Sequence, residues 1–186
     1  MSDAGLNPHE DYSGWSCVRY GVGETLFKLN ENIEPELWLA DSYKFLDDYN
    51  FEVTIKDDIT FSSGRKLDAE AAKECFEDLL LNHDRAPKDM KIQDMHAQGQ
   101  TLVITTTEPN PALPNLLSEP YSAIIDMKAG VDENKNVSGT GPYIATSVSD
   151  TKISLVSRKD YWDGDVSEKN ITVKSITDGD TLTMGL

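Results

Sequence analysis

Apolar and polar side chains alternate most regularly between Phe51 and Lys56. Because successive side chains of a strand point to opposite faces, this pattern predicts a half-buried β-strand. Two more strands are predicted at 91–97 and 101–107, since Gln98-Gly99-Gln100 between them is typical of a hairpin turn. Further along, the same pattern predicts a second hairpin and one additional strand, with strands at 143–148, 153–158 and 171–176.

A three- and four-residue spacing of apolar side chains follows Asp68 and predicts the main helix. The aspartate side chain can cap the first turn, and residues 82–87 end the helix. We expect the apolar stripe to be buried, with the cysteine in it a free thiol. The stripe consists of Ala72, Cys75, Phe76, Leu79 and Leu80.

Three weaker helical patterns occur elsewhere. Residues 13–27 can form a helix, although two glycines inside it each cost roughly 1 kcal/mol relative to alanine. A short helix is predicted at 113–117, and Asp180 is predicted to cap a last helix. Strands joined mostly by hairpins, with a few helices between them, predict a mixed α/β fold with much antiparallel sheet. The first helix would carry Trp15, Val18, Val22 and Leu26 near one face.

The composition is that of a folded, acidic protein. In 186 residues, 17 Lys and Arg stand against 33 Asp and Glu, which gives a net charge of −16. This charge repels phosphate backbones and anionic headgroups, so it argues against nucleic-acid binding and attachment to a membrane surface. No apolar run reaches the length of a membrane span, and the first residues show no signal-peptide pattern. Cys17 and Cys75 are too few for a disulfide framework, and we expect both to be unpaired.

Motifs for enzyme chemistry are missing from the sequence. The three histidines, at 9, 83 and 96, form no zinc-binding pattern, and surface or capping roles are favoured for them. No phosphate-binding or nucleophile-elbow motif occurs. In the glycine-rich stretch 138–143, Pro142 removes a backbone donor that a phosphate cradle would use. Paired acids such as Asp47-Asp48 occupy turn positions. The sequence predicts no catalytic site, no metal centre and no cofactor.

Seven short segments, read in order, carry a family resemblance. They are Leu6-Asn7-Pro8-His9, Glu24-Thr25-Leu26-Phe27, Trp38-Leu39-Ala40-Asp41-Ser42-Tyr43, Ile59-Thr60-Phe61-Ser62-Ser63-Gly64, Asp68-Ala69-Glu70-Ala71-Ala72, Gly139-Thr140-Gly141-Pro142-Tyr143 and Tyr161-Trp162. In this order and spacing they resemble the bacterial extracellular solute-binding proteins of family 5, which include oligopeptide-, dipeptide- and nickel-binding members. The segments cover nearly the whole chain, and the one that begins at Asp68 is closest to nickel-type members.

The resemblance implies part of the first lobe of a periplasmic-binding-protein-like type II fold, with the second lobe absent. Residues 1–34 and 139–186 would belong to the main sheet of this lobe, and 35–138 would form an inserted α/β subdomain. A partial lobe leaves sheet edges and apolar surface uncovered. We therefore expect the chain to self-associate.

The resemblance also implies binding without chemistry. The chain would belong to the substrate-binding component of an ABC importer, periplasmic or extracellular and membrane-anchored if it is a lipoprotein. Such a protein captures a small solute, here a nickel chelate or a peptide, and delivers it to the membrane permease by closing two lobes. The ligand positions that carry over are Tyr12, Trp15, Ser16, Arg19 and Arg85. This sequence departs from the family where no tryptophan follows Arg85 and no arginine occurs in 118–123.

Alternatives stay open for these residues and for the class. Trp15 fits the core of an amphipathic helix as well as a cleft. Arg19 and Arg85 also fit surface cations paired with carboxylates. The competing class is a hydrolase with a carboxylate pair in a cleft, and a structural or interaction protein is the third. Two carboxyl groups in one pocket with shifted pKa values would favour the hydrolase; an open face without them would favour the binding protein.

Overall fold

The computed structural model describes residues 5–10, 13–133, 136–149, 152–166, 168–176 and 179–184. The helices in these residues are α1 (Ser13–Arg19), α2 (Ala69–Asn82), α3 (Ala86–Met90), α4 (Leu113–Leu116) and a 3-10 helix (Pro120–Ser122). The strands are β1 (Phe27–Leu29), β2 (Pro35–Leu37), β3 (Ala40–Phe45), β4 (Asn50–Ile55), β5 (Ile92–Gln98), β6 (Thr101–Thr106), β7 (Tyr143–Val148), β8 (Lys152–Ser157), β9 (Asn170–Ile176) and β10 (Gly179–Met184). They form a ribbon β1-β2 and two four-stranded sheets, β3-β4-β6-β5 and β10-β9-β8-β7. Every pairing is antiparallel, which confirms the predicted fold class.

The first sheet contains the alternating segment from which the strand prediction began. In β4, Phe51, Val53 and Ile55 are buried while the side chains between them are partly exposed. Phe51 lies opposite Ile104 of β6, so the apolar side chains of neighbouring strands share one face. Helix α2 packs on that face. Burying each of these large side chains stabilises the fold by about 1.5–3 kcal/mol.

Helix α2 begins and ends as predicted. Asp68 accepts a hydrogen bond from the backbone N–H of Ala71 at 2.8 Å, which caps the first turn. The predicted stripe faces the core, although Leu80 is only partly buried, and Leu81 beside it is exposed. Helix α3, which follows at once, is not predicted by the pattern. Pro87 lies in the first turn of this helix. Its missing N–H is tolerated there, because the first backbone N–H groups of a helix have no acceptor within the helix.

Helix α1 is shorter than the predicted helix 13–27. It ends at Arg19, and Gly21 then adopts a φ of +72°, a left-handed conformation that glycine tolerates. The backbone N–H groups of Val22 and Gly23 both donate to the carbonyl of Cys17, which closes the helix end. Leu26 is buried, but it lies in the segment that leads into β1 and not on the predicted helix.

The second sheet confirms the hairpin and the strand predicted between 143 and 176. The helix predicted after Asp180 is wrong. Residues 179–184 form strand β10, in which Asp180 lies opposite Ser175 of β9. A capping aspartate favours a helix only locally, whereas the β9 edge supplies a partner for every strand residue.

Buried polar groups join the segments that flank the first sheet. Glu24 is buried, and its carboxylate accepts hydrogen bonds from Thr140 at 2.8 Å, Trp162 at 2.7 Å and Tyr161 at 2.5 Å. Three of the family segments therefore meet at one carboxylate. Next to them, Gly139 has no room for a side chain, since a Cβ atom would lie 2.0 Å from the carbonyl oxygen of Val22.

Arg158 adds a second buried link between the sheets. Its guanidinium donates to the carbonyl of Thr60 at 2.9 Å and to the hydroxyl of the same residue at 3.2 Å. Asp160 accepts from its Nε at 3.1 Å and balances its charge. The carboxylate at 24 and the guanidinium at 158 thus fix the second sheet against the first.

Both cysteines are free and fully buried in the same core, as the unpaired assignment predicts. Burial raises the pKa of each thiol to about 12, and the nearby Cys75 contributes to the rise at Cys17. Among the helices of the described residues, none is long and apolar enough to cross a membrane.

Candidate functional site

Helix α1 packs directly against the 3-10 helix Pro120–Ser122. A Cβ atom at Gly14 would lie 2.6 Å from the carbonyl oxygen of Pro120, so the approach requires glycine. The outer side of α1 is open, because Trp15 is 61% exposed and Ser16 is partly exposed. The core alternative for Trp15 is therefore wrong, and its indole lies at the surface.

The 3-10 helix also contacts the loop that follows α2. The ring centroid of Tyr121 lies 4.7 Å from that of His83, and the guanidinium carbon of Arg85 lies 5.5 Å from the Tyr121 ring. A cation over an aromatic ring is attracted by the negative face of the ring. The Tyr121 hydroxyl donates to Asp89 at 3.1 Å. Burial raises the pKa of Tyr121 well above its ordinary range, and the charge of Asp89 raises it further.

His83 orients the backbone of this loop. It is buried, and its Nδ1 accepts hydrogen bonds from the backbone N–H groups of Arg85 and Ala86, each at 3.1 Å. This is the capping role that the sequence favours for a scattered histidine. Helix α1, which carries Trp15 and Ser16, and the side chain of Arg85 both contact this 3-10 helix, and we call these three residues the α1 face.

Arg19 lies at the end of α1 and lines a different cleft. This open cleft has a volume of about 360 Å³. The residues that line it are Arg19, Tyr20, Gly21, Pro142, Tyr143, Leu155, Ile171 and Val173. The structure therefore places α1, which carries Trp15 and Ser16, and Arg85 against one 3-10 helix and leaves Arg19 beside an apolar cleft. Tyr12, the fifth predicted ligand residue, lies outside the described residues.

Two carboxyl groups, Asp47 and Asp48, line one open cleft, but hydrogen bonds led by that from Asn50 hold the pKa of Asp47 below its ordinary value, the opposite of what a general acid needs. Among the described side chains, Glu24 is the carboxyl group whose pKa is raised; burial raises it against the opposing effect of its three hydrogen bonds. Its oxygens are occupied by protein donors and it is 1% exposed. A substrate cannot reach it, and the hydrolase alternative finds no support.

A buried Cys–His–Asp arrangement lies under α2. His9 Nδ1 is 2.6 Å from Asp78, and its Nε2 is 3.4 Å from the sulfur of Cys75. A thiol nucleophile must be ionised and accessible, but Cys75 is fully buried and its pKa is raised to about 12. Burial likewise lowers the pKa of His9 in spite of Asp78. The arrangement anchors the start of the chain to α2. The sequence does not reveal it, since Cys75 and His9 are 66 positions apart.

No three His, Cys, Asp or Glu side chains within the described ranges converge on a metal site. The α1 face consists of an indole, a hydroxyl and a guanidinium. Groups of this kind bind a solute by contact and hydrogen bonding.

Residues 34–186 match the profile of the bacterial extracellular solute-binding proteins, family 5 Middle. The chain belongs to this family. The resemblance found in the sequence is thereby confirmed, together with the fold that it implies.

Two curated relatives and one solved structure illustrate the similarity. The nickel-binding protein NikA of Staphylococcus aureus is 36% identical over 170 residues, which are 91% of this chain and 35% of NikA. The glutathione-binding protein GsiB of Salmonella paratyphi A is 28% identical over 189 residues, 95% of this chain and 37% of GsiB. The crystal structure of S. aureus NikA in complex with Ni(L-His)2 matches with a TM-score of 0.86 at 35% identity, over 92% of this chain and 36% of that chain. This family member spans about a third of the length of these relatives.

Proposed function

We propose that this chain forms one wall of the solute site in the substrate-binding component of an ABC importer. This component lies outside the cytoplasmic membrane and delivers its solute to the importer's permease. Family membership supports the class of binding protein. The observation that carries the site is the α1 face: helix α1, which bears the exposed Trp15 indole, and the Arg85 guanidinium contact the same 3-10 helix. Tyr12 and Arg19 remain proposed ligand residues, the latter through its own cleft.

The chemistry of the α1 face suits a small solute that carries a carboxylate. An indole offers a large contact area with few rotatable bonds. A guanidinium presents paired N–H donors that match a carboxylate. The ring of Tyr121 lies 5.5 Å from the Arg85 guanidinium carbon, and the hydrogen bond to His83 fixes the backbone of Arg85.

A nickel chelate is the proposed solute, with a small peptide as the second candidate. Both present carboxylates to an arginine, and in a chelate the organic ligand supplies the donors to the metal. Similarity favours the chelate, since NikA is 36% identical and GsiB 28%. The segment from Asp68 to Ala72 points the same way, because it is closest to nickel-type members.

NMR titration of the 15N-labelled chain with nickel(II) bis-histidine tests the site. Six-coordinate Ni²⁺ is paramagnetic, so nearby protons broaden. We expect the Trp15 indole and the amides of 14–16 and 84–86 to broaden first, with zinc bis-histidine as the diamagnetic control. One wall buries only part of a solute, so the dissociation constant should exceed about 100 μM.

Variants decide whether the α1 face is responsible. Trp15→Ala and Arg85→Gln should each weaken the broadening, while Leu81→Ala, at a still more exposed apolar position on α2, should not. Broadening elsewhere on the chain, or none at millimolar chelate, would contradict the site. Micromolar affinity by isothermal titration would contradict the one-wall geometry. If glutathione shifts the resonances of the α1 face and the chelate leaves them unchanged, the solute is a peptide.

We also propose the division of the chain that the resemblance implies. Residues 35–138 would be an inserted subdomain, and 1–34 with 139–186 would belong to the main sheet of the lobe. The placement of the first sheet at 40–106 and of the second at 143–184 supports this division. Limited proteolysis should cut near 35 and 138 before it cuts within either sheet.

A further inference from the structure

Exposed apolar side chains are concentrated in one short part of the chain. Of the ten large apolar side chains that are exposed among the described residues, seven lie between 29 and 49. Single exposed apolar residues are ordinary, but a contiguous group marks an interaction surface. We call these residues the apolar strip: Leu29, Ile33, Leu37, Tyr43, Phe45, Leu46 and Tyr49.

Aromatic contacts connect two residues of the strip, Tyr43 and Phe45, with buried rings of the ribbon and of the first sheet. In the ribbon, Phe27 lies opposite Leu37, which places both on one face. The ring of Phe27 lies 5.0 Å from that of Tyr43, and the ring of Phe45 lies 5.1 Å from that of Phe51. Tyr43 and Phe45 are two residues apart on β3 and therefore point to the same side.

Two backbone features support a role in docking. Strand β3 is one of the two edge strands of its sheet in the described residues, so its outer edge can pair with an added strand. Ile33, at the tip of the ribbon, has a φ of +62° and is 70% exposed. A β-branched residue in the left-handed region is strained, and such strain is commonly retained at functional positions.

The charge around the strip identifies the occupant. An open cleft of about 410 Å³ is lined by Phe45, Asp47, Asp48, Pro109 and Pro111. Between 29 and 49 there are six carboxylates and one ammonium, Lys44, which gives a net charge of −5. The carboxylates belong to Glu31, Glu34, Glu36, Asp41, Asp47 and Asp48, and all six residues are exposed.

We propose that the apolar strip docks an extended, basic segment of a partner protein. The segment adds as a strand along β3, its apolar side chains cover Tyr43 and Phe45, and its Lys or Arg side chains meet the carboxylate rim. An anionic membrane or a nucleic acid is repelled by this rim, and a second copy of the chain would bring the same charge. The strip shares no residue with the α1 face, so the proposal stands apart from the solute site.

Two synthetic peptides test the chemistry. One is an eight-residue peptide that alternates Lys with Val and Tyr, and the other has Glu in place of each Lys. We expect the basic peptide to bind, to shift the amides of 41–46 in NMR spectra, and to bind about five-fold more weakly at 0.5 M than at 0.05 M salt. The acidic peptide should not bind.

Variants of two kinds guard against loss of folding. Tyr43→Ser with Phe45→Ser should abolish binding. Asp41→Asn with Asp48→Asn, which removes two exposed charges without disturbing packing, should weaken it about five-fold at low salt. Leu81→Ser and Asp165→Asn, both exposed positions outside the strip, are the matched controls and should change nothing.

Four results would overturn the proposal: equal binding of the acidic peptide, no binding of either peptide, equal loss in the control variants, or a dimer that Phe45→Ser dissociates. The last would make a second copy the occupant.

Discussion

Glu24 gives the sharpest test of how the two sheets are joined. Changing it to alanine removes the acceptor of three hydrogen bonds, donated by Thr140, Trp162 and Tyr161. Thr140 is fully buried, so losing its partner costs about 1–3 kcal/mol. The other two side chains are partly exposed and can turn to water, so each loses about 1 kcal/mol.

The alanine variant also removes the desolvation cost of the buried Glu24 carboxylate, and this gain offsets part of the lost hydrogen-bond energy. We therefore expect Glu24→Ala to lower the free energy of unfolding by about 3 kcal/mol and the Tm by about 6–12 °C. Urea unfolding followed by circular dichroism measures the change. Glu31→Ala, at an exposed glutamate, is the control and should stay within about 0.5 kcal/mol of the unmodified chain. If both variants lose equally little, the carboxylate does not join the sheets.

The pH dependence checks the protonation of the same group. Burial raises the pKa of Glu24 above its ordinary 4.5. A raised folded pKa means that its stabilising contribution is complete below about 4.5 and is lost as the pH rises through the folded value. Glu24→Gln does not titrate, so its destabilisation relative to glutamate should shrink between about pH 4 and pH 7. A penalty that grows over this window would show that the hydrogen bonds outweigh burial.

Further expectations concern single positions and the association state. Cys17 and Cys75 should resist a thiol reagent in the native chain and both react after denaturation without reductant; a missing thiol would indicate a disulfide. Ile33→Asn should raise the unfolding free energy by about 1 kcal/mol, because asparagine tolerates the left-handed conformation, and Ile33→Val should not. Gly139→Ala should cost more than about 3 kcal/mol in urea unfolding, and a smaller loss would mean that the 2.0 Å contact relaxes. Sedimentation at about 0.1–0.5 M salt should show self-association, because salt screens charge repulsion at distances beyond about 10 Å. Phe45→Ser should leave the association unchanged, since the carboxylates beside Phe45 would meet those of a second copy at shorter distances. A strict monomer would contradict the expected association.

The elements that depend on neighbouring residues could be predicted from the sequence. The alternation in β4, the cap and stripe of α2 and the turn at Gly99 each involve residues within one or two turns of chain. A helix, strand or turn that is favoured locally forms when the packing of the whole fold agrees with it. The order of the seven segments was also sufficient to predict the family, because these segments are distributed over nearly the whole chain.

Contacts between residues far apart in the sequence decided the elements that could not be predicted. The end of α1 at Arg19, rather than near Phe27, depends on glycine conformations and close backbone approaches. Strand β10 replaced the helix predicted at Asp180, because the β9 edge offers hydrogen bonds to a segment whose own preference is weak.

The candidate site shows the same division. Trp15 and Arg85 could be named from motifs, but whether the indole was buried or exposed was open in the sequence. Only the packing of α1 on Pro120 and of Arg85 on Tyr121 shows that the helix bearing Trp15 and the side chain of Arg85 contact one 3-10 helix. The sequence determines which local structures are available and which chemistry they carry. The tertiary structure decides which of those groups meet, because contacts between distant segments form only when a shared core fixes the backbone that carries them.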